Sequence, residues 1–210
     1  MRKYWIVFAL VVVLLTGMSG RAAAAVQFTF DSLNSSSTSG EINTYMTNFY
    51  GSQVVVTGGE IGQWSWSGNS TPYLWTASGA DGDFEINFVG KPIAKIYGTT
   101  MGYVFDTTDG ADFSLRAYGS NFGNAENPNS SALIYSNSWN AGHDGTVIDI
   151  PDIVFSSPVS LLVFSDDGKH DVGIDSLKVE PDCPASVPEP ATILLLGSGL
   201  FAFGYRRKHL

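Results

Sequence analysis

A single cysteine, Cys183, stands among 210 residues, so no intrachain disulfide is available to staple the fold. Either it pairs between chains or it stays an exposed thiol. Cations are scarce too, with 11 Lys and Arg against 20 Asp and Glu and a formal charge of -9. Six of the basic residues, Arg2, Lys3, Arg21, Arg206, Arg207 and Lys208, lie at the two ends, leaving Lys91, Lys95, Arg116, Lys169 and Lys178 in the middle against nearly all the acids. Such a surface repels nucleic acid and anionic lipid. Several catalytic groupings are missing. No histidines pair at zinc spacing, no serine stands in a Gly-x-Ser-x-Gly elbow, and no glycine loop has phosphate-cradling form. No internal repeat is evident, which argues against a solenoid or propeller. The expectation is a protein that is not an enzyme.

What is present begins with two short apolar ends. Residues 1–25 read as a signal peptide: Arg2-Lys3 is the positive start, Tyr4 to Leu15 the apolar stretch, and Ala23-Ala24-Ala25 the small residues that signal peptidase requires, with cleavage expected after Ala25. The other reading, an uncleaved anchor, meets a short run ending in Gly17, Ser19 and Gly20. No cysteine follows, which excludes a lipoprotein signal.

At the other end, Val187-Pro188-Glu189-Pro190 precedes an apolar segment, Ala191 to Tyr205, and then Arg206-Arg207-Lys208. Pro188 and Pro190 fix φ, lack amide donors and push Val187 and Glu189 out of the helical region, so the motif stands extended and helix begins only after it. The uncharged segment suits a helix in hydrocarbon. It is short against the roughly 20 residues of a full span, so bilayer thinning or snorkelling of the three cations must make up the difference. Basic flanks are held in the cytoplasm.

This three-part tail resembles the PEP-CTERM sorting signal of Gram-negative bacteria, also known as the ice-binding protein C-terminal domain. The residues that carry the likeness are Val187 to Ala191, Leu194 to Leu200 with its Gly197-Ser198-Gly199, and Arg206 to Lys208. The resemblance implies an exosortase, a membrane-embedded cysteine protease, as processing partner. It would cut near Pro188-Glu189-Pro190 and release the upstream part to the envelope or extracellular polymer matrix. An ordinary proline-bounded membrane anchor is the alternative. The expected organisation is a signal peptide at 1–25, a passenger domain at 26–182, a linker with the sorting motif at 183–190 and a transmembrane segment with basic tail at 191–210.

The passenger, about 160 residues, is one domain's length. Its Gly, Ser, Asn and Thr texture with short alternating apolar runs predicts an all-β fold: a two-sheet antiparallel sandwich of jelly-roll type with one short helix. Val26 to Phe30 reads as the first strand, the serine-rich Asn34 to Gly40 as a loop, and Ile42, Tyr45, Met46 and Phe49 as a helical stripe over 42–50 capped by Gly51. Strands are expected at 53–57, 63–66, 84–89, 93–97, 102–105, 113–118, 132–135, 147–150, 159–164 and 172–179. Gly58-Gly59, Asp81-Gly82, Asp109-Gly110, Asp144-Gly145 and Asp167-Gly168 read as turns between them.

The middle also looks like other PEP-CTERM cargo, through Phe30 to Leu33, Tyr45 to Gly58 and Val172 to Val179. In carbohydrate-binding-module-like sandwiches with such edges, the first and last strands pair and acids there can hold a structural calcium. Asp31 and Asp175 occupy comparable places. Calcium takes six to eight oxygens, and two aspartates without further donors more simply cap turns. The acids of 106–112 and 166–171, the latter around His170, and the dipeptide His143-Asp144 read as solvated turns, and the first lacks EF-hand spacing. Trp64 and Trp66, two apart, share one face of a strand, while Tyr73, Trp75 and Trp139 sit in loop-like surroundings. Exposed, such rings stack on sugars; buried, they fill the core. The core reading is favoured for a domain without disulfides, with Trp64, Trp66 and Trp139 as the candidate ligand residues. Function then divides two ways. The first is a non-enzymatic exported surface or matrix protein, possible partners being polysaccharide and calcium. The second is a glycan-active hydrolase, which requires two carboxylates about 5 Å apart, and no pair is nominated.

Overall fold

The computed structural model describes residues 24–63, 72–76, 83–105, 111–141, 146–165 and 171–182. In chain order these form β1 (Val26–Phe28), α1 (Ser39–Tyr50), β2 (Val54–Thr57), β3 (Gly59–Gln63), β4 (Pro72–Thr76), β5 (Asp83–Phe88), β6 (Ile93–Ile96) and β7 (Met101–Phe105). There follow β8 (Ala111–Tyr118), β9 (Leu133–Ala141), β10 (Thr146–Asp149), β11 (Ile153–Val159), β12 (Leu161–Ser165) and β13 (Asp171–Pro181). All pairings are antiparallel, and the expected two-sheet sandwich with one helix is the fold.

Period-two alternation builds it. In β5, Phe84, Ile86 and Phe88 join the core, as do Leu162 and Phe164 of β12 and Phe113, Leu115 and Ala117 of β8. The residues between them face away. The five-stranded second sheet has the order β2-β5-β12-β8-β9. The eight-stranded first sheet is organised on β13, whose beginning pairs with β7 and β4 and whose end pairs with β6 and β1. First and last strands therefore pair as expected, Val26 opposite Val179 and Phe28 opposite Leu177.

Strands β6 and β7 act as one strand broken at Tyr97–Thr100. Hydroxyls repair the break: the Lys178 amide donates to Thr100 Oγ1 (3.0 Å) and Ser176 Oγ to the Thr99 carbonyl (2.9 Å). Both side chains are buried, where an unpaired backbone group would be costly. A second join lies at Ser160, between β11 in the first sheet and β12 in the second. Its amide donates to the Tyr118 carbonyl and its carbonyl accepts from Phe88, each at 2.8 Å, so the chain changes sheets without losing a ladder bond.

The helix begins at Ser39, three residues before its apolar stripe, because Thr38 makes a reciprocal capping box: Thr38 Oγ1 accepts from the Glu41 amide and Glu41 Oε2 from the Thr38 amide (2.7 Å). The expected Asn34 to Gly40 loop is shortened accordingly. Gly51, at φ 72°, ends it as expected. Ile42, Met46 and Tyr50 are buried, and its polar side chains close the free edge of β2. Asn43 Oδ1 accepts from the Val56 amide (2.7 Å) and Thr47 Oγ1 from the Val54 amide (3.0 Å), so this edge cannot recruit another strand. Asn43→Ala should cost about 1–2 kcal/mol by leaving the Val56 N–H unmet, read from the urea midpoint; an unchanged midpoint would mean water replaces the amide without loss.

Three strand expectations need correction. Gly59–Gln63 is already strand, because Gly58 at φ 71° completes the turn from β2 in one residue. Pro72–Thr76, which carries Tyr73 and Trp75, is β4 and not a loop. Its proline occupies the first strand position, where no ladder donor is needed, and Leu74 and Thr76 are fully buried. Ile153–Val159 is a separate strand, exposed at Val154, Ser156, Ser157 and Pro158 while Ile153, Phe155 and Val159 face the core.

Candidate functional site

The sorting motif Val187, Pro188, Glu189 and Pro190, the basic cluster Arg206, Arg207 and Lys208, the signal-cleavage residue Ala23, and Trp64 and Trp66 lie outside the described residues. So do His143, Asp144, Asp106 to Gly110 and Asp166 to His170. Ala25 is exposed just before β1. The N-terminal signal helix and C-terminal transmembrane helix likewise fall outside; among the described residues no helix is long and apolar enough to cross a membrane.

Trp139 belongs to β9 and not to a loop. It lies opposite Phe113, with ring centroids 5.9 Å apart, and packs partly buried on the core. Serines and asparagines at exposed positions of β9, Ser136, Asn137, Ser138 and Asn140, supply the loop-like composition. Asp31 is exposed in the turn that follows Phe30, whose φ of 57° takes the chain out of β1, and Asp175 is partly buried on β13. Among the described residues no three His, Cys, Asp or Glu gather as a metal site. Calcium at Asp31 and Asp175 would therefore draw the rest of its shell from carbonyls, hydroxyls and water.

The outer face of the first sheet carries an aromatic pair instead. Leu74 points into the core, so Tyr73 and Trp75 point out, their rings edge to face at 6.1 Å. The strands on either side meet them with glycine: Gly62 opposite Tyr73 and Gly173 opposite Trp75. A Cβ at Gly62 would stand 2.6 Å from the Tyr73 ring, and one at Gly173 would stand 3.1 Å from that ring and from Trp75 Cβ. The glycines thus let the Tyr73 ring lie against the backbone. Tyr73 is 5% exposed, whereas Trp75 is partly exposed beside the exposed Glu60. Recognising β4 as a strand was the signal that would have found this pair.

Elsewhere on the first sheet, Tyr97 donates to Glu180 Oε2 (2.5 Å), which holds its phenol above the ordinary value. Lys95 Nζ stands 4.1 Å and Lys178 Nζ 5.1 Å from the Tyr97 ring centroid. Lys95 also pairs with Asp152, whose other oxygen takes the Gly98 amide at 2.6 Å. The Lys95 hydrogen bond, and then the Gly98 amide, hold Asp152 below the usual carboxylate range. Cations already occupy this ring, so it is a poorer sugar platform than Trp75.

On the outer face of the second sheet, Asp83 and Glu85 of β5 stand two apart and share one side. Arg116 of β8 donates to Asp83 Oδ2 (2.9 Å) and to Ser165 Oγ (2.8 Å). Glu85 is 6% exposed, and among the described residues its Oε2 meets no hydrogen-bond partner. Burial, with Asp83 and then Glu126 adding, pushes its carboxyl up to about 7. Alternation within β5 reads Glu85 merely as an outward acid. Val163, opposite it in the ladder, is packed by Phe122, Ala125 and Ala132 from the β8–β9 connection, and local sequence does not announce such a neighbour.

Comparison with known proteins adds two findings. One solved structure, described as "Family 16 Carbohydrate Binding Module-2", is similar at 15% identity and a TM-score of 0.31, covering 58% of this chain and 84% of its own. No curated protein matches. A protein-family pattern described as the PEP-CTERM protein-sorting motif matches residues 186–208. The C-terminus therefore carries the PEP-CTERM motif, and with it the implication of export, membrane-linked sorting and processing by an exosortase in bacteria.

Proposed function

We propose that the β-sandwich is a non-enzymatic passenger that the tail delivers to the cell surface or extracellular matrix of a Gram-negative bacterium, where it binds polysaccharide through the Trp75 face. The observation that carries the binding reading is Trp75, partly exposed on the outer face and edge to face with Tyr73, whose own ring lies over Gly62 and Gly173. Aromatic faces stack on the C–H faces of sugar rings. Glu60, exposed and directly opposite Trp75, supplies an acceptor for sugar hydroxyls on the same side of the sheet. The net negative charge favours a neutral glycan over an anionic one.

Affinity electrophoresis of the protein in gels containing the neutral exopolysaccharide of the producing cells tests this. Wild type should be retarded. Trp75→Ala should weaken binding about tenfold, as loss of a stacking contact of roughly 1.5 kcal/mol requires. Phe49→Ala, at an exposed ring on α1, should change nothing. Equal migration of wild type and Trp75→Ala rejects the site.

The hydrolase alternative draws on Glu85, because a carboxyl poised near 7 beside other acids suits a general acid. Glu85 is shut beneath a loop, however, and no aromatic groove leads to it among the described residues. The binding reading is therefore preferred.

A further inference from the structure

The connection from β8 to β9, Gly119 to Ala132, is built as a separate piece lying on the outer face of the second sheet. Its neck is closed by the Gly119 amide donating to the Ala132 carbonyl (2.9 Å), and inside it the Asn129 amide donates to Phe122 (2.7 Å). A bridge between Gly123, at φ 80°, and Pro128 completes an internal hairpin. Asn129 Oδ1 then caps the short 3-10 turn Ser130–Ala132 through the Ser131 amide (3.0 Å). The loop is held to the sheet by few apolar contacts: Phe122, Ala125 and Ala132 pack on Tyr118, Leu161 and Val163, a small cluster separate from the main core. Glu85 lies directly across from Val163 in the ladder and shares its face.

We propose that Gly119–Ala132 is a flap held shut by the proton on Glu85 and released when that proton leaves. The argument is one of uncompensated charge. Closed, the flap helps deny water to a carboxyl whose Oε2 has no partner among the described residues, which is tolerable for a neutral acid and costly for an anion. The charged groups that act on Glu85 are Asp83 on its own strand, Glu126 on the flap and Arg116 on β8. The adjacent strands β2 and β12 present Thr57 and Val163, which carry no charge. Arg116 cannot compensate fully, being engaged with Asp83 and Ser165. Ionised Glu85 thus faces repulsion from Glu126, which swings away when the flap lifts.

The carboxyl holds its proton to about pH 7 when buried, against an ordinary value of 4.5. For an acid raised in this way, the closed form is fully favoured below the ordinary value, and that preference is lost as pH rises through about 7. Opening uncovers the apolar strip Tyr118–Leu161–Val163 beside a fresh carboxylate. This inference is independent of the Trp75 face, which lies on the other sheet.

Amide hydrogen exchange on the full chain in detergent, normalised for intrinsic rates, tests it. Between pH 6 and pH 8.5 the protection of flap amides, including Gly119, Asn129 and Ala132, should fall about tenfold while β12 stays protected. In Glu85→Gln the fall should vanish. In Glu126→Gln, altered at an exposed residue, the midpoint should move to lower pH if the flap's charge helps lift Glu85 and stay where it is if it does not; only the lower midpoint agrees with the proposal. Protection that does not change with pH in wild type, or an equal fall in Glu85→Gln, overturns it. Should Glu85→Gln fail to fold, the direction of the Glu126→Gln shift decides alone.

Discussion

Replacing Pro188, Glu189 and Pro190 together by alanine should leave the hydrophobic terminus attached to every exported chain. Two prolines keep this stretch out of helix and free of amide donors. With alanines in their place, the helix of the apolar segment can extend backwards by a turn, drawing the cutting site towards the membrane and into regular structure. Mass spectrometry of protein from producing cells reads the result. Wild type should show ends near Val26 and Pro188, and the variant should begin near Val26 and retain Leu210. A wild-type protein that keeps residues 191–210 on all exported molecules would make the tail a permanent anchor, and a variant cut as efficiently as wild type would remove the conformational argument. Because the sorting motif occupies residues 186–208, the outcome should not depend on how well the sandwich folds.

The largest loss of stability should follow Phe164→Ala. Phe164 is fully buried on β12, the middle strand of the second sheet. It stacks on Phe84 at 4.9 Å with the planes 15° apart and meets Phe113 at 6.0 Å. Its removal forfeits the transfer of a large ring and leaves a void whose walls belong to two neighbouring strands, pinned by ladder bonds and poorly able to collapse. The expected cost is about 3–5 kcal/mol, a large part of the 5–15 kcal/mol typical of a domain. Without a disulfide the chain has no other staple to offset it. Urea unfolding should show the shift in midpoint. A cost below about 1.5 kcal/mol would mean the two neighbouring rings close the gap.

Burial of Phe84 and Phe113 was legible from alternation, since Asp83 and Glu85 bracket the one and Asp112 and Ser114 the other, and that of Phe164 from the apolar run Leu161 to Phe164. The helix was legible from Ile42, Met46 and their neighbours, while its true start needed the capping chemistry of Thr38 and Glu41. The strand at Pro72–Thr76 was hidden because a leading proline and flanking Ser, Thr and Gly imitate a loop. Ile153–Val159 was hidden because an exposed serine pair and Pro158 stand inside it and it runs straight into Ser160, a residue in two ladders. For the candidate sites the difficulty was greater. Trp139 and Trp75 both sit in strands with polar neighbours, yet one turns towards Phe113 and the other away from Leu74. Composition cannot separate these cases, because the side of a sheet depends on register with the strands beside it.

The sequence alone carries the sorting motif of residues 186–208: a proline-bounded tail is read locally and needs no folded partner to carry its meaning. It determined the β class as well, since alternation is a property of neighbouring residues. Only the tertiary structure decided which outward residues stay outward. Glu85 and Trp75 both hold an outward position between two buried residues, Phe84 and Ile86 for the one and Leu74 and Thr76 for the other. A loop distant in sequence packs on Val163 beside Glu85, while glycines from two other strands make room for the Tyr73 ring beside Trp75, and contacts of that range are set by packing, not by sequence period.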